Sequence, residues 1–195
     1  MSYLPGFGFT TVPTTYKYNF EALALTIGSF LAALPILLKR YSTYIFDYGA
    51  PIGLRLALEN PSAVAAITSQ NGNAYEEGLS SFWDPLKEHW TIGSAEQREG
   101  LSAFLTLEGT KSQYETGTRN PSTIAPESYT LDQALMDRNG NKDIQLDLLH
   151  DYRSNVPLYP SFQEYFRKSQ VPLLAVWGKN DQIFAPEGRQ KRLHH

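Results

Sequence analysis

The sequence predicts an α/β protein whose mainly parallel sheet is interrupted by a helical insertion. Three observations predict it. Residues 18–68 alternate helix, strand, helix and strand, the order from which parallel sheets are built. Strand patterning then disappears over residues 75–168, and it returns as one short apolar run at 173–177.

The elements follow in chain order. Residues 1–15 read as a loop, punctuated by Gly6, Gly8 and Pro13. Phe20, Leu23, Ala24, Ile27, Phe30, Leu31 and Leu34 then recur at three- and four-residue spacings, with Asn19 as N-cap and Pro35 as the stop, which predicts a helix. Residues 41–46 are aromatic and β-branched, a strand; 52–59 are helical and end at Asn60-Pro61; 64–68 form a second apolar strand. Residues 75–168 hold helical patches separated by loops such as Asn139-Gly140-Asn141, and the strand at 173–177 leads into the turn Gly178-Lys179-Asn180-Asp181. The expected organisation is a core of residues 1–74 and 169–195 around an insertion at 75–168.

Composition narrows the function classes. With 42% hydrophobic and 19% charged residues, the chain can bury a sizeable core. A net charge of −3 with both signs dispersed argues against a nucleic-acid or anionic-membrane partner. The absence of cysteine excludes disulfides, thiolate metal sites and a cysteine nucleophile. The longest apolar stretch, residues 30–38, is interrupted by Pro35 and falls well short of the ~20 residues that span a bilayer. No signal peptide is visible, and a cytoplasmic location is expected. No His/Asp cluster stands at ligand spacing, so neither a metal nor another cofactor is expected. Serine-esterase chemistry is disfavoured by the absence of a Gly-x-Ser-x-Gly motif.

The segment Tyr44-Ile45-Phe46-Asp47-Tyr48-Gly49-Ala50 places an acid between a strand and a helix, followed by small residues. A nucleophile elbow needs this arrangement, because a bulky side chain just past the nucleophile collides with the tight turn. Gly49 and Ala50 are expected to remove that collision. The helix N-terminus is expected to lower the Asp47 pKa and keep it an ionised nucleophile. The alternative is that Asp47 is an ordinary N-cap.

Leu4-Pro5-Gly6-Phe7-Gly8-Phe9, Asp47-Tyr48-Gly49-Ala50 and Val176-Trp177-Gly178-Lys179-Asn180-Asp181 occur in that order. Together they resemble the epoxide hydrolase and haloalkane dehalogenase branch of the α/β-hydrolase fold, over about residues 4–188. The resemblance implies that Asp47 is the nucleophile toward a small apolar organic substrate. It implies that Asp181 is the acid that orients a catalytic histidine, and that the insertion is a cap. Tyr152-Arg153 resembles the Tyr-Arg pair of epoxide hydrolase caps, in which the tyrosine protonates the opening epoxide oxygen; packing as one more cap aromatic is the alternative. A neutral phenol suits the catalytic role.

The sequence departs from that pattern in three places. Tyr48 stands where dehalogenases carry a halide-holding tryptophan. No His-Gly oxyanion loop precedes Leu4. No strand with a catalytic histidine follows Asp181; His89, His150, His194 and His195 do not occupy that position. The expectation is therefore an incomplete sheet, truncated at both ends, with impaired turnover. A non-catalytic remnant and a module binding a small apolar ligand are the alternatives, and oligomeric state is left open.

Overall fold

The structure, a computed structural model, describes residues 3–188. Three parallel strands, β1 (Tyr41–Phe46), β2 (Val64–Gln70) and β3 (Leu173–Val176), lie side by side in the order β1-β2-β3. Their last residues align, Phe46 with Gln70 and Gln70 with Val176. The segments that leave the three strands therefore emerge together at one end of the sheet.

Helix α1 (Phe20–Ala33) precedes β1, and the Asn19 side chain caps it by accepting from the Ala22 N–H at 2.8 Å. Only its first half is buried, through Phe20, Leu23 and Ala24. Phe30, expected on the buried face, is exposed. Helix α2 (Gly49–Glu59) connects β1 to β2 and begins three residues before the apolar periodicity predicts, because Gly49 and Ala50 carry no periodicity signal.

Six helices lie between β2 and β3: α3 (Asp84–Ile92), α4 (Ala95–Leu101), α5 (Leu107–Glu115), α6 (Pro126–Met136), α7 (Asn141–Asp151) and α8 (Tyr159–Ser169). No strand is described among them, as expected. The single β-bridge from this region, Leu79 to Phe184, ties its entry to the turn after β3.

Two apolar clusters hold the molecule together. In the first, Trp83, Leu86, Leu101, Leu105, Leu146, Leu148 and Tyr152 pack with Phe20 and Leu23 of α1 and with Trp177 and Phe184. In the second, Ile45, Leu54, Ala57, Val64 and Ile67 meet Tyr159, Phe162 and Tyr165 of α8. Helix α8 was expected in the insertion, but its apolar face lies on α2 and the sheet. An amphipathic helix has the same periodicity whichever layer receives it.

Among the described residues, none covers the other face of the sheet. Tyr44 aligns with Thr68 and Leu174 in one row, and Phe46 with Gln70 and Val176 in the next. Tyr44, Phe46, Leu174 and Val176 are 62%, 50%, 59% and 47% exposed. Parallel sheets ordinarily have both faces covered, and exposed apolar patches of this kind favour association. The chain on its own is expected to self-associate, and the double substitution Phe46→Lys/Val176→Lys is expected to shift it toward monomer. A monomer for the unsubstituted chain by light scattering would contradict this.

Candidate active site

Asp47 directly follows β1 with φ +47°, a left-handed conformation that costs a non-glycine residue about 1–2 kcal/mol. Its carbonyl accepts the Ala50 N–H at 2.9 Å, which turns the chain straight into α2. The N-cap position is held by Tyr48, whose side chain makes no capping bond, so Asp47 is not the helix cap.

The tight contact of the turn lies elsewhere than expected. A Cβ added to Gly49 would meet nothing within 4 Å, so Gly49 does not relieve a collision. A Cβ on Gly72 would lie 2.5 Å from the Ala50 Cβ and 3.1 Å from Ser69 Oγ. One on Gly53 would lie 2.5 Å from Ile45 Cγ2. The close approach joins the first turn of α2 to the loop after β2, with Ala50 fully buried in it.

Burial pushes the Asp47 carboxyl up to about 6; the Tyr48 backbone N–H opposes this, and the Asp181 charge adds to it. The expectation that the helix N-terminus lowers this pKa is therefore corrected. Desolvation of the carboxylate outweighs one N–H bond and the helix dipole, itself worth about 0.3–1 kcal/mol at a surface site.

Asp181 lies in the turn after β3, at the same end of the sheet as Asp47. Its Oδ1 accepts the Ile183 and Phe184 N–H groups at 2.8 and 3.0 Å. Its Oδ2 accepts from the Asn71 amide. Asn71, one residue past β2 at φ +44°, also accepts the Gly178 N–H at 3.3 Å through Oδ1. Asn71 thus ties the turns after β2 and β3 together. Sequence reading did not single it out, although Asn before Gly is a left-handed turn signal.

Tyr152 is fully buried near this end of the sheet. Its ring centroid lies 4.4 Å from Trp83, 5.5 Å from Phe20 and 5.9 Å from Tyr48, and it stacks on Trp90 at 6.2 Å. Burial holds its phenol protonated well above the ordinary range, and the Tyr159 and Asp47 charges reinforce this. Tyr48 is raised likewise, by burial and then Asp47. The Tyr152 hydroxyl lies 3.3 Å from that of Tyr159, which accepts the Asn73 amide at 3.2 Å. Tyr152 is therefore both a packed aromatic and a polar group within the electrostatic reach of Asp47. Tyr159 and Asn73 were not singled out from sequence; nothing local marks them.

His89 and His150 pack edge to face at 4.8 Å, and burial, with Arg98 and Arg153 close by, lowers both pKa values. Both line a cavity of about 520 Å³ with Lys17, Arg98 and Asp151, and a second cavity of about 300 Å³ lies between Arg55 and Asp151. Neither cavity reaches Asp47. His194 and His195 lie outside the described residues. Among the described residues no cluster of three or more His, Cys, Asp or Glu is placed to hold a metal, and no helix is long and apolar enough to cross a membrane.

Comparison with known proteins bears on the fold. A family model described as the alpha/beta hydrolase fold matches residues 4–192. The chain belongs to that family. An uncharacterized hydrolase of Saccharomyces cerevisiae, YNR064C, is 46% identical over 191 residues, covering 96% of this chain and 65% of the yeast protein. Among solved structures, the 2-hydroxy-6-oxo-6-phenylhexa-2,4-dienoate hydrolase of Rhodococcus sp. RHA1 superposes with a TM-score of 0.71 at 12% identity, covering 97% of this chain and 65% of that one. A variant of the haloalkane dehalogenase DatA from Agrobacterium tumefaciens C58 gives 0.71 at 18% identity, covering 98% and 66%. At these identities the structures share the fold. The chain spans just under two thirds of the length of these relatives.

In this chain the Ala50–Gly72 approach is expected to be intolerant of one methyl group. Gly72→Ala should destabilise the chain by about 1–3 kcal/mol, the usual cost of overpacking. Denaturant unfolding checks it; a change below about 0.5 kcal/mol, the scale of neutral surface substitutions, would show that the turn relaxes freely.

Proposed function

We propose that Asp47 attacks a carbon electrophile of the epoxide or haloalkane type to form an alkyl-enzyme ester. The observation that carries this reading is a carboxylate in a left-handed turn between β1 and α2, next to Tyr48, whose ring centroid lies 5.9 Å from that of the buried Tyr152. A carboxylate oxygen forms a bond to the substrate carbon as the carbon–oxygen or carbon–halogen bond breaks. With an epoxide, the departing oxygen takes the Tyr152 proton. Asp181, its carboxylate held by Asn71, matches the acid that in this branch orients a water-activating histidine; no described histidine lies beside it, so ester cleavage is impaired in this chain. Residues 75–168 act as the cap, with α8 at its end resting on α2 and the sheet, and the aromatic cage of Tyr152 keeps water from the reacting atoms. Two features favour an epoxide over a halide: Tyr48 stands where dehalogenases of this branch carry tryptophan, and Tyr152 offers a proton that a halide does not need.

Ester formation requires only Asp47, Tyr152 and a positioned substrate, so it is the step to test. Incubation with styrene oxide is expected to add one substrate mass to the intact protein, and peptide mapping to place it on Asp47. Asp47→Ala should abolish the adduct. An adduct that persists in Asp47→Ala would refute the assignment, and no adduct in either protein would favour a non-catalytic module that binds a small apolar ligand.

A further inference from the structure

The larger cavity, about 520 Å³, lies where α3 and α7 end beside the segment that enters α1. Its size falls within the roughly 300–1,000 Å³ of ordinary small-molecule pockets. Asp47, Tyr152 and Asp181 do not line it, so it stands apart from the site proposed above.

What this cavity can hold follows from which of its polar groups are still free. Its two aspartates are engaged. Asp147 pairs with Arg98 at 2.9 Å, and Asp151 Oδ2 accepts the Phe20 N–H at 2.7 Å and the Ser154 hydroxyl at 3.2 Å. The carbonyl ends of α3 and α7, which would otherwise attract a cation, are also engaged. The His89 carbonyl accepts the Gly93 N–H, the Trp90 carbonyl accepts from Arg153, and the Leu149 carbonyl accepts the Trp90 indole N–H.

Three groups remain. Lys17 is exposed and forms no ion pair among the described residues. His89 and His150 lie edge to face at 4.8 Å, and Nδ1 of each is buried without a partner. A proton on Nδ1 would be an unmet buried donor, which is costly. Each neutral ring therefore carries its proton on Nε2, the nitrogen left to meet the cavity. His89 is only 3% exposed, so its ring is part of the cavity wall and not a loose surface group.

The charge around the rings is positive in excess. Burial, then Arg98 and Arg153, hold His89 neutral; at His150 burial and Arg153 do so against the opposing charge of Asp151. A cation would meet that repulsion, whereas an anion meets two N–H donors and an ammonium. We propose that this cavity binds a small organic carboxylate, held by Lys17 Nζ and the Nε2–H groups of His89 and His150. One free ammonium matches a single negative charge, which favours a carboxylate over a phosphate. The rings of Tyr16 and Tyr18, edge to face at 5.1 Å, offer its apolar body a wall.

Benzoate is the probe, benzamide its neutral isostere, and inorganic phosphate the rival anion. Equilibrium dialysis near neutral pH measures the binding of each. The unsubstituted chain should hold benzoate at least about tenfold more tightly than benzamide, the size of one charge-assisted hydrogen bond, and more tightly than phosphate. Lys17→Ala changes an exposed position and should weaken benzoate about two- to fivefold, leaving benzamide unchanged. His150→Leu should remove most of the remaining preference. In the unsubstituted chain, benzoate should also raise the midpoints of both imidazoles in a histidine Cε1–H NMR titration, because a bound anion favours the protonated ring. Benzamide should leave them in place.

Equal affinity for benzoate and benzamide, tighter binding of phosphate, or imidazole midpoints that benzoate does not move would each overturn the proposal. So would a benzoate preference that stays unchanged in both Lys17→Ala and His150→Leu.

Discussion

The carboxyl end of the sheet depends on how closely the first turn of α2 approaches the loop after β2. Ala50 and Gly72 meet there with no room for a second methyl group. Because they do, α2 starts two residues after Asp47 and Asp47 must take a left-handed conformation. That conformation costs about 1–2 kcal/mol. Burying Ile52, Leu54 and Leu56 along α2 contributes about 1.5–3 kcal/mol each, so helix packing easily sustains the strained turn. The strain sits on the residue proposed to react, which accords with the tendency of such outliers to gather at functional sites.

The same packing sets the electrostatics. The first turn of a helix favours an anion, but half-buried Asp47 is partly desolvated, and moving its pKa from the ordinary 3.8 to about 6 disfavours the charged form by at most about 3 kcal/mol. Asp47 still ionises near neutral pH, as a weakly solvated and more basic carboxylate than an exposed one. Tyr152 links this site to both apolar clusters, through its ring to Trp83 and Phe20 and through its hydroxyl to Tyr159 of α8. Fold and site are therefore coupled through one side chain.

Much of the fold was legible in the chain because the signals are local. The strand at 41–46, the Asn19 cap and the loss of strand patterning after residue 74 each follow from a few neighbouring residues. The turn at Asp47 was legible for the same reason: an acid between a strand and a helix with small residues following is a local pattern. Features set by distant contacts were not. The methyl-sized gap at Gly72 depends on Ala50 in another element, and the Asn71–Asp181 bond joins residues 110 positions apart. Helix α8 has an apolar face that fits a cap or a sheet equally well until Ile45 and Ile67 are in place beneath it. The Asp47 pKa was misjudged because the helix N-terminus is visible in sequence and desolvation is not.

A carboxyl-carbon NMR titration of Asp47, assigned by difference from Asp47→Asn, measures directly whether burial or the helix N-terminus governs the proposed nucleophile. The predicted midpoint is about 6, with the carboxyl protonated below it and ionised above. A midpoint at or below the ordinary 3.8 would show a solvated or dipole-stabilised carboxylate, and would contradict a desolvated nucleophile.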